Sequence, residues 1–123
     1  MSSSSPFEDL IGFSRAVRVG AHVFVAGTAP VWPDGSCPDD VVLQARRCWE
    51  VAEAALHEAG ASLSDVVRTR MFVMSVDDLP AVRDVHREVF GRIRPVATMI
   101  AVAGMLDPRW KVEIEAEAVV ASG

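Results

Sequence analysis

The sequence predicts an α+β domain with the element order β-β-α-β-α-β-β, and three observations lead there. Runs rich in β-branched and large apolar residues, several of them alternating in polarity, recur near 14–26, 66–74, 96–102 and 112–120. Two segments, 39–60 and 77–91, repeat apolar residues at spacings of three and four, so each is a helix with one face to cover. Finally, 123 residues, half of them apolar, suffice for one hydrophobic core and leave no room for a second domain.

The first β segment is a hairpin. Val23-Phe24-Val25-Ala26 follows the Ala16 to Arg18 stretch, and Gly20-Ala21 forms the tight turn between them. Residues 27–38 hold two Gly, three Pro, Asp34 and Ser36, and are read as the longest loop. Asp39 or Asp40 caps a helix reaching Gly60, whose stripe is Val41, Ala45, Cys48, Ala52, Ala55 and Ala59. Val66 to Met74 forms a strand with Arg68 and Arg70 on one face. Asp77-Asp78 and Pro80 start a second helix that buries Leu79, Val82, Val85, Val89 and Phe90 and ends at Gly91. Val96 to Val102 and Val112 to Val120 complete the strands, separated by a turn at 104–109. In the last strand Lys111, Glu113, Glu115 and Glu117 alternate with Val112, Ile114, Ala116 and Ala118, so the helices cover only the apolar set. The acidic face is left to water or to a polar interface between subunits.

Charge and composition narrow the function classes. A net charge of −5 and a pI near 5.1, with no run of Lys or Arg, argue against nucleic acid. Cys37 and Cys48 have neither CxxC spacing nor a nearby His pair, so both are read as free thiols, and neither metal nor other cofactor is expected. The Ser-rich start, residues 1–10, is read as a flexible arm ahead of a single domain over 11–123. It lacks the basic and apolar regions of a leader, and no stretch approaches the ~18 apolar residues of a membrane span. A soluble, cytoplasmic protein is expected.

Four segments in order, Gly12-Phe13-Ser14-Arg15-Ala16-Val17, Val23-Phe24-Val25-Ala26-Gly27, Val67-Arg68-Thr69-Arg70-Met71-Phe72-Val73 and Val112-Glu113-Ile114-Glu115-Ala116, resemble the YjgF/Rid family over roughly residues 11–120. The resemblance implies a chorismate-mutase-like fold, a mixed sheet with two helices on one face, and a homotrimer with small-molecule clefts between subunits. It also implies hydrolysis of reactive enamines and imines to ketoacids and ammonia. In that family an Arg within a Pro-x-Arg-[Ser/Thr] segment clamps the substrate carboxylate, and the first Glu of the Glu-x-Glu-Ala strand handles water; a guanidinium fork and a carboxylate base suit those tasks.

Carried onto this chain, the segment reads Pro95-Val96-Ala97-Thr98, so Ala97 stands at the clamp position. Phe13 stands for the family Tyr and Ala26 for the Ser before Gly27, so three polar functions differ together. Glu113 keeps the water-handling position and is the catalytic candidate, with membership of an ordinary ion-pair network as the plainer alternative. Phe13, Gly27, Arg83, His86, Ala97, Thr98 and Met99 are the candidate substrate-binding residues. Arg83 stands where the family often has Asn and offers a substitute cation, with a solvated or salt-bridged arginine as the equal alternative. His86 stands where it often has Tyr and is otherwise half-buried helix packing. Arg68 and Arg70 either point together into an interface or, the favoured reading, pair with Glu113 and Glu115 on a neighbouring strand. Cys37 is read as a bystander, and Trp32 joins Phe13 and Met99 as apolar cleft wall or simple packing.

Two functions of different class follow. One is an enzyme using a Glu113-positioned water without the Arg clamp; the other is a non-catalytic small-molecule-binding or regulatory trimer. An RNA-directed translation inhibitor or endoribonuclease is a distant third, because an acidic chain lacks the electrostatics for RNA.

Overall fold

The computed structural model describes residues 6–121. A short helix α1 (Pro6–Ile11) precedes β1 (Ala16–Val19), β2 (His22–Thr28), α2 (Val41–Glu58), β3 (Val66–Val73), α3 (Leu79–Phe90), β4 (Val96–Ala101) and β5 (Val112–Val119). The strands form one sheet in the order β1-β2-β5-β3-β4. Only β3 and β4 run parallel; the other pairs are antiparallel. Strand β5 reaches the centre because it joins the opening hairpin to the β3-α3-β4 crossover.

One sheet face forms the core. Val23 and Val25 of β2, Met71 and Val73 of β3, and Ile114, Ala116 and Ala118 of β5 are buried beneath Ala45, Cys48, Ala52 and Ala55 of α2 and Val82 and Val85 of α3. The small residues of α2 bring its backbone close to the sheet, as the stripe predicts, and Trp49 and Leu56 fill the space at its flanks. Asp40 caps α2, accepting from the amides of Val42 at 2.8 Å and Leu43 at 3.2 Å. Gly60 ends it with φ +82°, and Arg18 donates to the Ala59 carbonyl at 2.7 Å. The buried Gln44 amide ties the two long loops, donating to the carbonyls of Pro38 and Arg109 and accepting from the Lys111 amide.

Two expectations need correction. The segment read as an arm is helical over Pro6–Ile11, with Glu8 buried and the Phe7 ring edge-on to Trp110 at 5.9 Å. Residues 1–5 lie outside the described residues. The loop read as starting at Gly27 starts later, since β2 continues to Thr28 through an irregularity between Val25 and Thr28.

Among the described residues no helix covers the opposite face. In register, Val17, Phe24, Glu117, Arg68 and Val96 form one row across all five strands, with Arg70 and Thr98 beside Glu115 in the next. Val17, Phe24, Val96, Ile100 and Val119 are exposed there. Among the described residues no helix is long and apolar enough to cross a membrane.

Candidate functional site

The acidic stripe of β5 is not uniform, because β3 treats its members differently. Arg70 donates to Glu115 at 2.8 Å and to Glu117 at 3.3 Å, and Arg68 stands 4.0 Å from Glu117. Glu113 faces Phe72 instead, and among the described residues its carboxylate makes no hydrogen bond or ion pair. The expected pairing of the arginines with Glu113 is therefore corrected: both serve Glu115 and Glu117, because the β3–β5 register places them one pair further along.

The Glu113 carboxylate lies instead over the irregular stretch of β2. A Cβ built on Gly27 would sit 2.5 Å from its Oε2, so glycine alone admits the carboxylate there. Arg15, just ahead of β1, donates from Nη2 to the Gly27 carbonyl at 2.6 Å and accepts from the Ala26 amide at 3.0 Å. Burial pushes the Glu113 carboxyl above its ordinary value; the Arg15 charge opposes this and Glu115 adds to it. Desolvation is thus the main cause, and repulsion from Glu115 along the stripe is a minor one. Sequence reasoning did not single out Arg15; the one signal available is a lone cation directly ahead of the apolar start of β1.

The remaining candidates fall elsewhere. Arg83 and Met99 share a shallow groove of about 160 Å³ with Leu79 and Pro80, and Arg83 is bonded to Asp84 at 3.0 Å. Ala97 lies on the Met99 side of β4, opposite Thr69, and is exposed. Thr98 points to the other face opposite Arg70. His86 meets the Thr69 hydroxyl at 2.9 Å through Nε2 and packs against Trp49 and Phe90; burial pushes its pKa down. Phe13 is half-buried, its amide closing α1 on the Glu8 carbonyl. Trp32 lies under Arg47 at 6.0 Å. Both cysteines are free, Cys48 buried and Cys37 in the loop. Within one chain, then, the Glu113–Gly27 half and the Met99–Arg83 half are separated by β3 and lie on opposite faces of the sheet.

The family model described as endoribonuclease L-PSP matches residues 4–120. The chain belongs to this family, the YjgF/Rid proteins. The crystal structure of Rv2704 from Mycobacterium tuberculosis, of the YjgF/YER057c/UK114 family, superposes with a TM-score of 0.89 at 45% identity, covering 98% of this chain and 97% of that one. Protein SCO2049 of Streptomyces coelicolor is 37% identical over 119 residues, 96% of this chain and 89% of its own. A 2-iminobutanoate/2-iminopropanoate deaminase of Dermatophagoides farinae is 30% identical over 110 residues, 88% of this chain and 85% of its own. The mixed sheet with its helices matches the YjgF fold. Within the chain, Glu113 and Gly27 are in contact, and Phe13, Ala26 and Ala97 carry no polar side-chain group.

Proposed function

We propose that the protein is a cytoplasmic homotrimer that hydrolyses small enamines or imines, with Glu113 as base on the attacking water and no arginine clamp for a substrate carboxylate. The observation that carries this is the state of Glu113: a half-buried carboxylate against Gly27, with no ion-pair partner among the described residues and its affinity for protons raised by burial. A carboxylate that burial makes more basic, and that no hydrogen-bonded cation ties down, accepts a proton more readily than an exposed one. The chemistry needs only water. Glu113 takes a proton as the water oxygen adds to the imine carbon, and the C=N electron pair moves to nitrogen, which takes up a proton. Collapse of the carbinolamine forms C=O, breaks C–N and releases ammonia.

The exposed sheet face supports the trimer. Val17, Phe24, Val96, Ile100 and Val119 around the Arg68/Arg70–Glu115/Glu117 network make a surface that two further copies would cover in a closed ring. Because β4 is a sheet edge, a ring that sets that edge against the next chain would bring one chain's Met99 half towards another's Glu113 half. Sedimentation velocity tests this, a 13.3 kDa species at micromolar concentration being the contrary result. The activity is tested by generating 2-iminopropanoate in situ and following ammonia release with and without the protein. Acceleration supports the reading; a rate equal to the spontaneous one removes it.

Ala97 favours a second reading, a ligand-binding trimer without turnover, because the residue that would hold a substrate carboxylate is absent from its place. Equilibrium binding of an uncharged metabolite without ammonia release would favour that reading. RNA cleavage is disfavoured by the net charge of −5 and the carboxylate stripe.

A further inference from the structure

We propose that Arg15 is a positioning residue for Glu113, its guanidinium holding the Gly27 carbonyl and so fixing the β2 irregularity against which the carboxylate lies. This rests on the reading of Glu113 as the base. Arg15 is 8% exposed, and its two bonds, side chain to the Gly27 carbonyl and carbonyl from the Ala26 amide, grip the stretch where β2 loses register with β5. That stretch has no ladder partner of its own to hold it, so Arg15 takes over the task. Gly27 then presents its bare Cα to Glu113 Oε2, and any shift of Gly27 moves the surface on which the carboxylate rests.

Burying a guanidinium costs hydration, and Arg15 Nε has no hydrogen-bond partner among the described residues. Burial works against the Arg15 charge, with Glu8 and Glu113 acting the other way. A neutral donor would hold the Gly27 carbonyl without that cost, so the cation itself has a purpose. Of the elements around Glu113, β5 supplies Glu115 and α2 supplies Cys48, whose thiol burial keeps protonated. Strand β3 supplies the uncharged Phe72 and β2 supplies Gly27. Arg15 is thus the cation that acts on Glu113, and without it the carboxylate would take up its proton at higher pH. Being buried and bonded to a carbonyl, Arg15 supports the base rather than touching substrate.

The test follows the Glu113 carboxyl carbon by NMR in glutamate-labelled protein, assigned with E113Q, beside the pH dependence of turnover on 2-iminopropanoate. Arg15→Gln should raise the titration midpoint of Glu113, move the acid limb of the rate profile upward, and lower turnover at neutral pH by about ten- to a hundredfold through misplacement of the base. Arg15→Lys should restore the midpoint while recovering turnover only in part, since it keeps the charge and loses the fork. An unmoved midpoint and rate in Arg15→Gln would overturn the proposal. If that variant does not fold, the wild-type Arg15 Nε–H resonance should show a titration step that E113Q abolishes, and its absence would equally overturn it. Full turnover in E113Q alongside a moved Glu113 midpoint in Arg15→Gln would instead remove the base reading and leave the coupling of the two residues standing.

Discussion

Glu113 stands opposite Phe72 in the β3–β5 ladder, while Glu115, two residues on, stands opposite Arg70. One residue pair of register thus separates a carboxylate held by a guanidinium from one with no ion-pair partner among the described residues. Phe72→Arg should erase the difference. An exposed or half-exposed pair adds only about 0–1 kcal/mol, so thermal stability should change little. A cation beside the base should depress its basicity and lower turnover by about tenfold or more. Melting temperature and rate measured together check this.

Gly27→Ala tests the contact from the other strand. The added methyl meets Glu113 Oε2 at 2.5 Å, and the carboxylate, at the end of a flexible side chain, must move. The fold should survive, as Gly27 does not have the positive φ of Gly60. Displacing a base by about 1 Å costs up to ~100-fold, so kcat should fall by at least tenfold, with the circular dichroism spectrum unchanged.

Ala97→Arg tests what the clamp position contributes. Ala97 is exposed on β4, with room for a long side chain. Charge-assisted hydrogen bonds contribute roughly 1.5–3 kcal/mol, so KM for a carboxylate-bearing imine should fall by roughly ten- to a hundredfold. An unchanged KM would mean that the substrate's carboxylate lies elsewhere.

The elements were legible because each rests on a periodic pattern. The alternation of β5 assigned Ile114, Ala116 and Ala118 to the core, and the small-residue stripe of α2 named most of what it buries. Register was not legible. Glu113, Glu115 and Glu117 are equivalent by alternation, and only the placement of β3 against β5 distinguishes them. Arg15 was missed for a related reason: it precedes a strand, belongs to no stripe, and acquires its meaning from Gly27, 12 residues away. The helix at Pro6–Ile11 was hidden behind a serine run, because its anchor is the distant ring of Trp110. His86 was legible as a half-buried helix position, but its partner Thr69 was not.

His86 should make stability depend on pH. Burial lowers its pKa below the ordinary 6.5, so the unfolded chain binds the proton more readily than the folded one. The sign follows: stability is full above the unfolded value and falls as pH drops through 6.5 towards the lower folded value. Urea unfolding at pH 7.5 and pH 5.5 should show the loss in the wild type and a smaller loss in His86→Gln, whose amide still reaches Thr69.

The account's central claim is that Glu113 is the catalytic carboxylate, and Glu113→Gln tests it most directly, with the rate of 2-iminopropanoate hydrolysis as the measurement. The exchange keeps size and hydrogen bonding and removes the base. Because burial raises the Glu113 pKa, its ionised form burdens the folded state at neutral pH, so the variant's melting temperature should be unchanged or higher. General acid–base catalysis contributes typically ~10² to 10⁴ in rate, and the predicted result is therefore a loss of at least about a hundredfold in an intact, equally stable protein. Wild-type turnover in Glu113→Gln, with a lowered melting temperature, would contradict the account and return Glu113 to a structural role.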